Sequence, residues 1–184
     1  IDEWGAVWEN IGPGHLGEVK DPPLKSWQDF DNFNIPDVSK PERWQGLEGI
    51  REKYPGKFLA GRGISLYERI LFLRGLENTW LDIHKNPDNL KKLIDILVEM
   101  NVNAVSKYTE LGYDGFVILD DWGLQDSLMI SPPKWRELWK PAYKKIFSEV
   151  HNNDMKMILH SCGYIVDIID DFIEVGLDVI QMDQ

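Results

Sequence analysis

The chain has 184 residues, 43% hydrophobic and 11% aromatic, enough apolar surface for one domain with a sizeable core and too much for global disorder. Its formal net charge is −11 and no stretch carries a basic stripe, so neither a nucleic acid nor an anionic membrane surface is an expected partner. The single cysteine, Cys162, excludes an intrachain disulfide, and the apolar runs stop well short of the ~20 residues that span a bilayer.

A lone cysteine and the absence of an N-terminal signal segment fit a cytoplasmic location. The chain opens at Ile1 rather than Met, so the missing leader carries little weight.

Residues 1–57 are punctuated by Pro13-Gly14, Pro22-Pro23, Pro36, Pro41 and Pro55-Gly56. They read as a loop-rich covering segment anchored by Trp4, Trp8, Trp27, Phe30 and Phe33. One short helix is expected over 41–54, with Pro41 and Glu42 in its first turn. From residue 58 the texture changes. Residues 58–60 form a short apolar strand followed by Gly61 and Gly63. Ser65 and Glu68 form a capping box for a helix to Arg74. A second helix opens at Asn86-Pro87-Asp88, and its stripe of Leu90, Leu93, Ile94, Leu97 and Val105 runs towards Gly112.

Residues 115–119, Gly-Phe-Val-Ile-Leu, read as a buried parallel strand. It ends in Asp120-Asp121 and a loop of roughly ten residues, long enough to suggest function. Ser131-Pro132 opens a helix with Trp135, Leu138, Trp139, Ala142, Ile146 and Val150 inward, and Pro141 is expected to kink it. The next strand, 156–159, ends at His160. A helix over 165–175, with Ile165, Ile169, Phe172 and Ile173 inward, stops at Gly176 before a strand over 178–181.

Strands alternating with helices define an α/β fold with a parallel sheet, here of about four strands. A complete (β/α)8 TIM barrel typically needs ~250 residues, so the pattern is either an incomplete portion of a barrel or a smaller open sheet. The organisation read from the sequence is one domain, with a covering segment over 1–57 and the β/α portion over 58–184.

In parallel α/β folds functional groups gather where strands end. In His160-Ser161-Cys162-Gly163, side chains two apart project from the same face of an extended segment. Imidazole and thiolate are good zinc ligands, and a catalytic zinc takes three protein ligands. The spacing alone fits equally a hydrogen-bonded His beside a half-buried Cys that bind nothing. Asp120-Asp121-Trp122-Gly123, with Gln125, offers carboxylates for acid or base work or for orienting a ligand, although helix capping explains many such pairs. Gln181-Met182-Asp183-Gln184 is a third polar strand end, with Gln181 as a substrate-binding candidate. Arg62 could bind a carboxylate or phosphate. His15, His84 and His151 read as surface or core residues. Walker, nucleophile-elbow and His-Glu-x-x-His motifs are missing.

Residues 112–125, Ser131-Pro132-Pro133-Lys134-Trp135-Arg136, Lys140-Pro141, Leu159-His160-Ser161-Cys162-Gly163 and Gly176-Leu177-Asp178-Val179-Ile180 together resemble the uroporphyrinogen decarboxylase superfamily. The resemblance is strong from Glu68 and looser before it, where Asp2-Glu3-Trp4-Gly5 resembles the lead-in of decarboxylase-like branches. It implies a single (β/α)8 barrel of which this chain is an interior slice.

The resemblance also implies one of two chemistries. Corrinoid-dependent methyltransferases of the superfamily hold zinc through a His-x-Cys turn and a later Cys. His160 and Cys162 match the first two ligands, and the third would lie beyond Gln184. The leading expectation is therefore a zinc-dependent methyltransferase acting between a corrinoid carrier, on a partner protein or as substrate, and a thiol or small methylated substrate. Asp120, Asp121 and Gln125 would line its pocket or orient its ligands. The alternative is a cofactor-free uroporphyrinogen decarboxylase of porphyrin biosynthesis, with Asp120 or Asp121 and Arg62 meeting an anionic tetrapyrrole. A third reading is a non-catalytic barrel that binds a corrinoid or a partner protein.

Overall fold

The structure is a computed structural model that describes residues 1–10, 12 and 17–183. The expected Pro13-Gly14 turn, His15 and Gln184 lie outside the described residues. In chain order the elements are β1 (Val7–Glu9), β2 (Glu18–Asp21), α1 (Ile50–Lys53), β3 (Ala60–Arg62), α2 (Tyr67–Arg74), α3 (Leu76–Lys85) and α4 (Pro87–Glu110). There follow β4 (Gly115–Leu119), α5 (Pro132–Leu138), α6 (Lys140–Asn152), β5 (Lys156–Cys162), α7 (Val166–Glu174) and β6 (Val179–Asp183). Contacts divide the chain into two units, Ile1–Asp37 with Glu68–Leu93, and Val38–Tyr67 with Ile94–Gln184.

The second unit carries a four-stranded parallel sheet in the order β3-β4-β5-β6. Consecutive strands are neighbours, as in a (β/α)8 barrel, and the sheet forms part of such a barrel. Its register builds rows across the strands. Arg62, Val117, Ile158 and Val179 form one row; Leu119, His160 and Gln181 the next; Cys162 and Asp183 a third. Because side chains alternate along a strand, these residues share one face. The opposite face carries Phe116, Ile118, Asp120, Met157, Leu159 and Ser161, all fully buried.

Helices α5, α6 and α7 contact one another, and α6 contacts β5. Around them lies an aromatic core in which Tyr67 stacks on Trp122 at 4.3 Å, Trp122 meets Trp139 at 5.2 Å and Trp135 meets Phe172 at 4.9 Å. Each such pair adds about 0.5–1.5 kcal/mol beyond the area it buries. Pro141 divides the expected helix in two, because it lacks an N–H and crowds the preceding turn, a position tolerated only in the first turn of α6. On α4, the side chain of buried Asn101 accepts from the Ile64 amide and donates to the Ile64 carbonyl, fixing the chain just after β3.

In the first unit β1 and β2 pair antiparallel. Asp2 gathers the amides of Trp4 and Ala6 and the indole N–H of Trp8. The buried ion pair Arg74–Asp82 ties α2 to α3. No helix among the described residues is long and apolar enough to cross a membrane.

Several elements differ from expectation, each for a physical reason. The helix expected over 41–54 is reduced to a 3-10 turn at Pro41–Arg43 and the short α1, since Gly46 and Gly49 lower helix propensity between them. The first barrel strand lies at Ala60–Arg62 rather than 58–60, which brings Arg62 into the ladder. Helix α3 was not expected: it buries Thr79 and Asp82 beside Ile83 and exposes Leu76, Trp80 and Leu81, which blurs the apolar stripe that marks an amphipathic helix. On α7, Ile173 points outward, 60% exposed, and Asp171 is buried instead, held by Arg136 and Lys140.

At the start of β6, away from the strand ends that carry polar residues, the Asp178 carboxylate accepts from the Met157 amide at 2.8 Å and pairs with His151 at 2.8 Å and Lys156 at 2.9 Å. Partial burial pushes its pKa up, but these partners, the Met157 amide first, hold the carboxyl down to about 2 from its usual 3.8. The folded state thus favours the ionised form. The resulting stabilisation is fully present above pH 3.8 and disappears as the pH falls through about 2. Asp178→Asn should therefore be less stable than wild type at pH 6, with the gap closing as the pH drops below 3.8. Urea unfolding of both proteins across this range checks it, and a gap independent of pH would refute the linkage.

Candidate metal centre

Strand β5 continues through Cys162, so His160 and Cys162 stand two apart on an extended segment and project together. The His160 Nε2 and Cys162 Sγ atoms lie 3.3 Å apart. The neighbouring strand contributes a third donor. Asp121 follows β4, its Oδ1 lies 3.6 Å from His160 Nε2, and the same oxygen accepts the Cys162 amide at 2.8 Å. The imidazole, thiol and carboxylate donors all fall within 4.8 Å of one another.

This donor set suits a divalent ion of zinc type. Zinc bonds to N, O and S donors run ~2.0–2.3 Å, which places tetrahedral ligand atoms about 3.3–3.8 Å apart. The His160–Cys162 and His160–Asp121 separations of 3.3 and 3.6 Å match that edge length. The His160 Nδ1 atom is buried and has no hydrogen-bond partner among the described residues. A metal-bound His usually donates this second N–H to an acceptor, so the position calls for a carbonyl, carboxylate or water.

The two adjacent aspartates separate completely. Asp121 extends the row of Val117 and Leu119 to the functional face, whereas Asp120 is fully buried on the other face. The Asp120 carboxylate accepts the amides of Leu66 and Tyr67 and the Tyr143 hydroxyl, which itself accepts from the Trp122 indole at 2.8 Å. Asp120 thereby fixes the start of α2. Ser161, also on the buried face, accepts the Trp122 amide at 3.1 Å.

Two turns clamp the mouth of the site. The amides of Gly123 and Tyr164 donate to the carbonyls of Cys162 and Leu124, and Gly163 donates to Asp183. Beside Cys162 opens a cavity of about 840 Å³, with Leu124, Gln125, Tyr164, Ile165, Met182 and Asp183 among its lining. Gln125 is therefore on the cavity wall. Gln181 sits next to His160 in register, but Met182 and Asp183 line the cavity in its place. Arg62 shares the face of His160, one row deeper, and does not line the cavity. Tyr164 escaped the sequence reading, and Asp183, noted there as part of a polar strand end, was passed over in favour of Gln181. The period-2 continuation from Cys162 across to the last strand is the signal that could have found Asp183.

Residues 10–184 match the family model described as Uroporphyrinogen decarboxylase (URO-D). The chain belongs to the uroporphyrinogen decarboxylase family. A curated relative from Bacillus anthracis, named uroporphyrinogen decarboxylase, is 26% identical over 110 residues, which make up 60% of this chain and 30% of that protein. A solved methyltransferase from Methanosarcina mazei superposes with a TM-score of 0.76 at 22% identity, over 96% of this chain and 52% of that one. That likeness carries the fold, a β/α barrel of which this chain corresponds to about half. The chain thus spans 30% of the length of its curated relative and 52% of the solved structure. The sequence resemblance and the family model agree on the uroporphyrinogen decarboxylase family, and the sheet order agrees with its expected barrel.

Proposed function

We propose that this member of the uroporphyrinogen decarboxylase family is a zinc-dependent methyltransferase that moves a methyl group between a corrinoid carrier and a thiol or small methylated substrate. The observation that carries the reading is the convergence of His160, Cys162 and Asp121 at one end of the sheet. His160 and Cys162 would hold the ion from β5, with Asp121 from β4 as a further donor beside the later cysteine that the resemblance implies beyond Gln184. A bound zinc ion would lower the pKa of a substrate thiol and keep its sulfur as the thiolate.

The chain's own residues do the rest. Asp121 Oδ1 anchors the Cys162 amide and so sets the direction of the sulfur. The interlocked turns at Gly123 and Gly163 fix the mouth, and the cavity beside Cys162 offers an apolar wall next to the sulfur. Gln125 stands where it can orient a polar group of the substrate.

The decarboxylase reading draws on the name of the Bacillus anthracis relative and on Arg62 facing the same side as His160. It is the weaker one. A polyanionic tetrapyrrole calls for several cations, and no Lys or Arg lines the cavity among the described residues.

Metal analysis of the purified protein tests the proposal. About one zinc per chain is expected, with loss of nearly all of it in Cys162→Ala and in His160→Ala and at least a tenfold weaker affinity in Asp121→Ala. A metal-free protein that converts uroporphyrinogen would overturn the reading in favour of the decarboxylase. Zinc retained unchanged in Cys162→Ala would place the ion elsewhere and sink it equally.

A further inference from the structure

The cavity beside Cys162 also restricts what can occupy it. We propose that it receives a small cationic headgroup, of the methylated ammonium type, carried on an apolar body. The inference deepens the methyltransferase reading and rests on it for the charge count at the metal centre.

Register places Asp183 directly beside Cys162 at the end of β6. The Asp183 carbonyl is held by the Gly163 amide at 2.8 Å, so its backbone is fixed while its side chain remains exposed on the cavity rim. Around it the wall is aliphatic, from Ile165, Val166, Ile169 and Met182, with the ring of Tyr164 alongside.

The charges do not balance without a cation. A divalent ion held by neutral His160, the Cys162 thiolate and the Asp121 carboxylate would be neutralised by those ligands. Asp183 is then a surplus negative charge on a cavity whose other described lining side chains are uncharged. Among the described residues the nearest cation on this sheet face, Arg62, lies two rows deeper than Asp183 and three strands away, about 13 Å off along the strand direction alone. An anionic headgroup would meet Asp183 uncompensated, and a neutral one would gain only apolar contact. A quaternary ammonium satisfies the carboxylate, the aromatic face and the aliphatic wall together.

Calorimetric titration with choline and with its neutral isostere 3,3-dimethylbutan-1-ol tests this, with 3,3-dimethylbutanoate as the anionic probe. Choline should bind at least about fivefold more tightly than the neutral alcohol, and the anion most weakly. Asp183→Asn should bring the choline-to-alcohol ratio close to one, and Tyr164→Leu should lower it. Equal binding of choline and the alcohol, or tighter binding of the anion, would overturn the proposal. So would a preference for choline that survives Asp183→Asn. The titrations are run on chelator-treated as well as zinc-loaded protein. A choline preference in a protein that holds no zinc would leave the cavity's selectivity standing and the methyltransferase reading fallen. Zinc bound without that preference would do the opposite.

Discussion

Asp82→Ala should destabilise the protein by about 3–5 kcal/mol, because it strands a buried cation. The Arg74 and Asp82 side chains are only 4% and 3% exposed. Arg74 Nε and Nη2 reach Asp82 Oδ2 at 2.9 and 2.7 Å. The other carboxylate oxygen accepts from the Trp27 indole at 2.9 Å and from Asn86 at 2.8 Å. Arg74 in turn donates to the Leu24 carbonyl and lies over the Trp27 ring at 4.3 Å. Truncating Asp82 leaves the guanidinium without its counter-charge and removes the acceptor of four N–H donors, two on Arg74 and one each on Trp27 and Asn86. Removing both charges together, as in Arg74→Met with Asp82→Leu, should recover much of the loss, because the pair's desolvation cost disappears with it. Urea unfolding of the two variants measures both. A loss below about 1 kcal/mol for Asp82→Ala would show that water or a rearranged partner compensates the arginine.

This buried pair also marks the limit of what the sequence discloses. Nothing in the sequence singles out Asp82 as buried, and helix α3 went unread because Thr79 and Asp82 face inward while Leu76, Trp80 and Leu81 face outward. The barrel half was legible wherever pattern and packing agree. The apolar stripe of α4 repeats every three to four residues, and Gly115–Leu119 is too apolar and too short to be anything but a buried strand. The same period-2 rule that puts His160 and Cys162 on one face also separates Asp120 from Asp121. Applied to β4, it makes one aspartate structural and the other a donor, as the burial of Phe116, Ile118 and Asp120 shows. What the rule could not supply was the register between strands. Only the pairing of Leu119 with His160 brings Asp121 to the metal donors, and only that of Cys162 with Asp183 brings a carboxylate to the cavity. These are contacts some 20 to 40 residues apart in sequence, and no local propensity encodes them.

The same long-range register makes Gly163 the most sensitive position near the proposed metal centre. Gly163→Ala should weaken zinc binding by about a hundredfold or more while leaving the helical content intact. Gly163 has φ +75°, a left-handed conformation that costs an L-residue about 1 kcal/mol or more before any contact is counted. A methyl group there would lie 2.5 Å from the Gly123 carbonyl oxygen and 2.6 Å from that of Leu124. Both are backbone atoms, so no side chain can swing away. The obstruction is mutual, since a methyl on Gly123 would meet the Gly163 carbonyl carbon and the Tyr164 nitrogen at 2.3 Å. The two turns can therefore separate only by breaking the hydrogen bonds from Gly123 to Cys162 and from Tyr164 to Leu124. Cys162 is the residue adjacent to Gly163 and must move with it, away from Asp121 and His160. Metal ligands tolerate errors of only about 0.2 Å, so a shift of even 1 Å disperses the donor set. Competition with a chromophoric chelator gives the zinc affinity, and far-UV circular dichroism confirms that the barrel strands and helices remain. Wild-type zinc affinity in Gly163→Ala would mean that the turns yield without disturbing the sulfur, and the rigid positioning of Cys162 would have to be abandoned.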